Sequence, residues 1–470
     1  MTSEPINRPN IICLNHTYPP EATGTPVSTR ARNVFSYLQD RWSFSVVNGF
    51  PTSQQQPYAD IHTAKTPYPH GLIRLLRRAK MDKLVDWLEW PDDAVLWNLP
   101  ALMKALAVIG KRPADARPKA IIVFMMPYSS GIAGILLKWM TNLPLILNLN
   151  DSPTCTDMHP FFASRLHYWL AIGLENFYIR QSDAIIYVSQ KNLDMVRARQ
   201  PKSQHGKFHL IRCGVDPTDY QAPLPPRDPD KFQIAYTGGM SGWNQFIDAG
   251  PKPSLAKRLY RAWMGLGRFE LVQLDQRGST PVFMGRAIHQ IIERNPDWKD
   301  KIRLDVYGNR YPQETVDRVL ANTEIGDVVS VYGSRSHTQA IQIARGADLL
   351  FMAIPDRADG SPGGRISLKT YEYLMTDRPI LAAIPKGENW DYLSDKPGVW
   401  LIEPNDVDGM IRIVSKLAAE KFAGKSCSVD RSKIVDHLSY ASRAREYEEV
   451  LNQVVHREKE PQGHSIGAVS

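Results

Sequence analysis

Two successive α/β units, each built on a parallel sheet, are predicted for this chain by three observations. Short apolar runs rich in Val, Ile and Leu alternate with helical patterns, the order of a parallel sheet wrapped by helices. Several runs are apolar at every position, as strands covered on both faces must be. The alternation pauses at Pro223–Lys231, a proline- and charge-rich stretch that reads as a linker, and then restarts. The length of 470 residues suits two or three domains of about 100–200 residues each.

The elements follow in order. Asn10–Asn15 is the first strand, and the loop His16–Thr25 leads to a helix that begins at Pro26. Thr25 is placed to cap that helix and Pro26 fits its first position. Val27, Ala31, Val34 and Leu38 keep helical spacing to about Gln39, and Ser43–Val47 is the second strand. The apolar stretch from Ile121 to Leu149 imitates a membrane span. Pro127, Lys138, Asn142 and Pro144 divide it into a strand to Met126, a helix Ser130–Thr141 and a strand Leu145–Leu149. Ala184–Ser189 and Phe208–Ile211 are further strands, with a helix between them to about Arg199.

Beyond the linker, strands are predicted at Phe232–Thr237, Arg303–Tyr307, Val328–Tyr332, Asp348–Met352 and Pro379–Ala383. The first ends at Gly238-Gly239, the second at Gly308 and the third at Gly333. Residues 240–282 interrupt this unit as a basic insert with Trp243, Trp263 and a helix near Ser254–Met264. Ser432–Val455 reads as one long helix and Arg457–Ser470 as a disordered tail. Two such units imply a cleft, and ligands of open parallel sheets bind beyond the carboxyl ends of the strands.

Composition narrows the function. Cys13, Cys155, Cys213 and Cys427 form no CxxC pair and no metal-ligand set, which points to a reduced, cytoplasmic setting. Met1–Asn10 is polar and lacks the pattern of a signal peptide. The net charge is +8, concentrated in Arg74, Arg77, Arg78, Lys80 and Lys83. That segment reads either as an amphipathic stretch on an anionic membrane surface or as a solvated helix face. No zinc spacing, RNA-binding motif or helix-turn-helix stands out, so nucleic acid is not expected as a partner.

The most informative motif is Gly360-Ser361-Pro362-Gly363-Gly364-Arg365, followed by a short helix that carries Lys369 and Glu372 one turn apart. A helix N-terminus offers unpaired N–H groups and partial positive charge, which suit a diphosphate. Glycines admit a ligand close to the backbone. A carboxylate can accept hydrogen bonds from ribose hydroxyls. The motif points to a bound nucleotide, although an ordinary loop–helix–strand connection has the same local form.

Taken together, these segments resemble the GT-B glycosyltransferases, and within them glycosyltransferase family 4 of the bacterial polysaccharide type. Tyr18–Gly24 is similar to that family's N-terminal glycine loop. Pro127–Ser130, Pro144 and Asp151 resemble its middle, and Glu175 with Ser182–Ser189 its next segment. Ile211–Asp216 is similar to its Asn-Gly-Val-Asp turn, with Cys213 in place of the asparagine. Lys369–Leu374 with Arg378-Pro379-Ile380 matches most strongly. The resemblance runs from about Asn10 to Val455, apart from the insert.

The resemblance implies two Rossmann-like domains facing a cleft. Residues 1–222 would be the acceptor-side domain and 223–431 the donor domain with insert 240–282. A helix over 432–456 would cross back to the first domain, leaving the tail 457–470. The implied reaction is retaining transfer of a sugar from a UDP- or GDP-linked donor to an acceptor hydroxyl, without metal or other cofactor. The acceptor would be a glycan or a lipid-linked glycan, in cell-surface or exopolysaccharide assembly, with peripheral contact at the inner face of the plasma membrane.

By the same resemblance, Glu372 is the ribose-binding member of the family's glutamate pair. The other member falls at Gly364, so the amides of Gly363 and Gly364, with Ser361 nearby, would hold sugar or phosphate instead. Gly238 and Gly239 match the donor-domain glycine turn. The Arg and Lys that the family supplies after that turn have no match; Lys252, Lys257, Arg258, Arg268 and Arg286 are the substitutes available. Lys369 either meets a phosphate or pairs with a carboxylate, and Arg365 is a similar candidate. Gly24 and Thr25 approach the acceptor or a phosphate, with capping alone as the plainer role of Thr25. Asp151 either orients the acceptor or makes a turn. His16 is either an acid–base group or structural. Two other functions fit the same fold: a non-catalytic nucleotide-sugar scaffold or sensor, and an epimerase that needs no acceptor.

Overall fold

The computed structural model describes residues 8–19, 25–52, 56–155, 161–224, 227–247 and 254–457. The chain divides into two compact units. One comprises residues 1–154, 163–212 and 440–470, the other 155–162 and 213–439.

The first unit carries strands β1 (Asn10–Leu14), β2 (Ser43–Asn48), β3 (Asp60–Thr63), β4 (Pro118–Phe124), β5 (Leu145–Asn150), β6 (Ala184–Tyr187) and β7 (Phe208–Leu210). They form one parallel sheet in the order β3-β2-β1-β4-β5-β6-β7. β1 is buried along its whole length, as a central strand covered on both faces must be. The helix Pro26–Leu38 lays Val27, Ala31, Val34, Phe35 and Leu38 into this core. Phe35 stacks on Phe44 of β2 at 4.1 Å. The helix Ser130–Thr141 packs so closely that a Cβ on Gly134 would stand 2.5 Å from Val123 of β4.

The second unit carries β8 (Phe232–Thr237), β9 (Ile302–Asn309), β10 (Val329–Gly333), β11 (Leu349–Ala353), β12 (Ile380–Ala383) and β13 (Val399–Ile402). Its parallel sheet has the order β10-β9-β8-β11-β12-β13. One face packs Trp243, Val282, Ile288 and Met410; the other packs Tyr371, Tyr373, Leu374 and Leu393.

Three expectations change. The chain enters the second unit after Arg212, ahead of the proline-rich stretch. The reason is Val215, whose N–H bonds the Leu438 carbonyl at 2.9 Å and whose side chain joins the second core. The long C-terminal helix is two, Ser432–Leu438 and Tyr440–Arg457, broken at Ser439. Ser439 is extended (φ −74°, ψ 151°) and its hydroxyl donates to the Asp436 carbonyl at 2.8 Å. The insert is built into its unit at two places. Phe269–Glu270 pairs antiparallel with Phe161–Phe162, and Leu274–Asp275 with Asp356–Arg357. The tail 458–470 lies outside the described residues.

Candidate functional site

The carboxyl ends of β8 and β9 touch. Gly238 has φ +123° and donates its N–H to the Tyr307 carbonyl at 2.7 Å. Gly308 has φ +105°, and a Cβ there would stand 2.9 Å from the Gly238 carbonyl carbon. A Cβ on Gly238 would meet Lys369 Nζ at 2.8 Å. The crowding at Gly238 therefore comes from the protein's own Lys369 and backbone. Gly239 is open: a Cβ on it would find only the Gly308 carbonyl oxygen, 3.9 Å away.

The helix behind this point runs from Leu368 to Leu374, seven residues, and its N-cap Ser367 makes no side-chain cap bond. Two turns sum few peptide dipoles, so the positive charge here comes from side chains rather than from the helix terminus expected. Tyr373 anchors the helix to β8: its hydroxyl accepts the Thr237 N–H at 2.9 Å. Lys369 Nζ lies 5.0 Å from the centre of the Tyr236 ring, within cation–π range. Burial pulls Lys369 below the ordinary lysine value, opposed by Tyr373 and Glu372 and reinforced by Arg365. Lys369 and Arg365 make no ion pair or hydrogen bond among the described residues. The alternative in which Lys369 pairs with a carboxylate is thus not realised.

Glu372 lies on the same helix, its side chain 20% exposed. Burial raises its pKa, held back by His337 and Lys369. Its Oε1 is 3.8 Å from His337 Nδ1, and His337 Nε2 is 3.5 Å from Asp219 Oδ2. Tyr220 donates its hydroxyl to the Glu372 backbone carbonyl at 3.1 Å. Sequence reasoning missed His337 and Asp219. His337 opens a helix behind the capping box of Ser336 and Gln339, which reads locally as nothing more than a helix start. Asp219 follows the Val215-Asp216 turn by three residues, the one sequence signal that could have drawn attention to it.

The glycine loop is tied down. Asp359 accepts the Ser361 N–H at 3.0 Å, and Arg357 donates to the Ser361 hydroxyl at 3.2 Å. Gly363 accepts the Glu388 N–H at 3.0 Å, and Gly364 is buried. A Cβ on Gly387 would stand 2.4 Å from the Gly363 carbonyl oxygen. The structure therefore gathers Gly238, Arg365, Lys369 and Glu372, and fixes the loop carrying Ser361, Gly363 and Gly364.

The substitute cations do not join this group. Lys257 and Arg258 are exposed on the insert helix, Arg268 lies over the Phe161 ring at 3.9 Å, and Arg286 is exposed. Lys252 and Gly24 lie outside the described residues.

His16, Thr25 and Asp151 belong to the first unit. Thr25 caps the helix Pro26–Leu38, accepting the Ser28 N–H at 3.4 Å and donating to the Thr17 hydroxyl at 3.0 Å. His16 is 8% exposed, packed edge-on against Phe50 and Trp97, with Nε2 2.9 Å from the Thr66 hydroxyl. Burial lowers its pKa to about 4, opposed by Asp93. These surroundings suit a neutral packing histidine better than a proton shuttle. Asp151 accepts from Asn192 Nδ2 at 3.4 Å and follows Asn150, which has φ +62°. Glu175, fully buried, pairs with Arg199 at 2.8 Å and accepts the Thr154 hydroxyl at 2.6 Å, a framework contact.

A cavity of about 650 Å³ opens on the face of β9, beside Arg227, Arg303, Asp305, Tyr307 and Arg335. None of the expected donor residues lines it. Among the described residues no three His, Cys, Asp or Glu side chains gather as metal ligands would, and no helix is long and apolar enough to cross a membrane.

Residues 60–219 match the family model described as Glycosyltransferase Family 4. No curated protein is similar to the chain in sequence. Solved structures are similar along nearly its whole length. The Anabaena protein Alr3699/HepE in complex with UDP and glucose has a TM-score of 0.58 at 13% identity, covering 95% of this chain and 100% of that one. Sucrose-phosphate synthase from Thermosynechococcus elongatus has a TM-score of 0.60 at 13% identity, covering 96% and 100%. The α,α-trehalose 6-phosphate synthase of Burkholderia multivorans has a TM-score of 0.56 at 12% identity, covering 96% and 100%. The whole chain has the GT-B fold, and its segment 60–219 matches the model of glycosyltransferase family 4.

Proposed function

We propose that the chain is a glycosyltransferase that takes a sugar from a nucleoside-diphosphate donor held on the second unit and passes it to an acceptor hydroxyl. The observation that carries this reading is that Lys369, next to Gly238 and one turn from Glu372, and the nearby Arg365 make no ion pair among the described residues. Lys369 and Arg365 meet the diphosphate and stabilise the charge that develops on it as the sugar departs. Glu372 accepts the ribose hydroxyls. The exposed amide side of Gly239 and the glycine loop at Ser361, Gly363 and Gly364 approach the phosphates or the sugar. His16 serves as packing and Thr25 as a cap; Asp151, on the first unit, orients the acceptor.

The solved structures of similar fold include one with UDP and one with UDP-glucose, which supports a UDP-linked donor; GDP is the second candidate. Retention at the transferred carbon, a glycan or lipid-linked acceptor, polysaccharide assembly in the cytoplasm, and independence of metal or other cofactor complete the proposal. The basic segment 70–83, with Leu72 and Leu75 exposed, supports peripheral contact with a membrane.

The test is thermal stabilisation by UDP, GDP and their sugars, compared between the wild type and Glu372→Ala. A ligand bound to the folded state alone raises Tm. The expected result is a shift with one nucleotide that shrinks in the variant; an equal shift in both would sink the site assignment. Gly364, standing where the family has a glutamate, favours a second reading as a binding-only scaffold. Donor binding without product across a wide acceptor panel would select it.

A further inference from the structure

Among the α-helices of the described residues, the insert helix Leu255–Gly265 is set apart by having no buried residue along its length. Ser254 caps it, accepting the Lys257 N–H at 3.4 Å. At 3.6 residues per turn, Leu255, Leu259 and Leu266 fall within about 40° of one another, with Trp263 at their margin. They are 68%, 62%, 65% and 53% exposed. Large apolar side chains in a contiguous exposed stripe mark a docking surface. Tyr260 and Met264, one turn apart on another side, are its half-buried members.

The charges choose the occupant. Lys257, Arg258 and Arg261 occupy the remaining arc, all exposed, and no Asp or Glu occurs from 254 to 269. A wide apolar arc with Trp and Leu, bordered by cations alone, matches the interface of an anionic bilayer, where the stripe enters the acyl boundary and the cations meet phosphates. The helix is held at its C-terminal side: Arg268 lies over Phe161 at 3.9 Å, and Phe269–Glu270 is paired with Phe161–Phe162. That attachment keeps the helix on the unit that carries the donor residues.

We infer that the insert helix 255–265 lies in the surface of an anionic lipid bilayer and fixes the second unit there. This rests on the transferase reading only for its purpose, since the lipid contact can exist without transfer.

The experiment is co-sedimentation of the full chain with vesicles of phosphatidylcholine alone and of phosphatidylcholine with phosphatidylglycerol, at low and high salt. The wild type should pellet with the anionic vesicles at low salt and lose binding as salt rises. Leu259→Glu combined with Trp263→Glu should weaken that binding by about tenfold or more. Both positions are more than half exposed, and an unchanged UDP-induced Tm shift checks that the fold is retained. A wild type that stays in the supernatant with anionic vesicles overturns the inference, as does a double variant that binds like wild type. A wild-type dimer broken by the double variant overturns it in favour of an interface between copies. A chain that pellets with vesicles and binds no nucleotide keeps this inference and sinks the transferase reading instead.

Discussion

Glu372 meets two opposed demands. Burial raises its pKa, while a ribose-accepting role needs the carboxylate. Lys369, and His337 when it is protonated, favour the ionised form. Affinity for UDP should therefore fall on acidification at a pH above the ordinary carboxylate range. Titration of Kd against pH checks this, with Glu372→Gln expected to be weak and flat through the same window. Lys369 has the mirror-image behaviour, since burial lowers its pKa. Removing it as Lys369→Ala should cost about 2 kcal/mol of donor binding, roughly thirtyfold in Kd, the scale of a charge-assisted hydrogen bond. A Kd within threefold or so of wild type would show that Arg365 alone holds the phosphates. Lys369 and Glu372 were legible in the sequence because they sit together in one motif. His337 and Asp219 were not, because the contact is made by the fold and neither lies near the motif in the chain.

At the scale of elements, most strands could be read from apolar runs because both sheet faces are covered. β3 and β13 could not. β3 is a sheet edge with no buried residue, and β13 has one buried residue in four, so neither carries the continuous apolar signal of an inner strand. The break at Ser439 was equally hidden: serine is tolerated within a helix, and its extension is set by contacts of the neighbouring chain with Val215. Capping was legible, and it gives a prediction. Thr25→Ala removes the acceptor for the Ser28 N–H and the hydroxyl link to Thr17, so it should destabilise the chain by about 1 kcal/mol. Denaturant unfolding measures this, and Thr25→Ser should restore most of the loss.

For the whole molecule, His16 sets part of the acid limit. Its folded pKa is depressed to about 4 from 6.5. The unfolded chain thus binds a proton that the folded one refuses, and the neutral ring's contribution is present above pH 6.5 and lost as pH falls towards 4. At 1.36 kcal/mol per unit the loss reaches about 3 kcal/mol. Wild-type Tm should drop over that window, while His16→Asn, less stable at pH 7, should show a shallower fall across it. Equal slopes would assign the acid limit to other groups. The two-unit plan was legible from the restart of the alternation, but the division at Arg212 was not, because it depends on which core receives Val215.

The first unit draws on segments that lie on either side of the second unit in the chain. Tyr447, Val450, Leu451 and Val454 complete its core, and Tyr447 donates its hydroxyl to Asn148 at 2.8 Å. A ribosome delivers residues up to 212 before the second unit and residues 440–457 after it. The opening half of the protein must then wait, its sheet uncovered along one helix's width, while the second unit, apart from the short segment 155–162, emerges as one stretch and can fold beforehand. A chain stopped before residue 440 should yield a second unit that unfolds cooperatively and a first unit that aggregates or is cut by protease. If pulse proteolysis instead finds the first unit protected in that truncated chain, the last helix is an addition to a finished core. The order of synthesis thus leaves the nascent first unit without its closing helix for as long as the second unit takes to emerge.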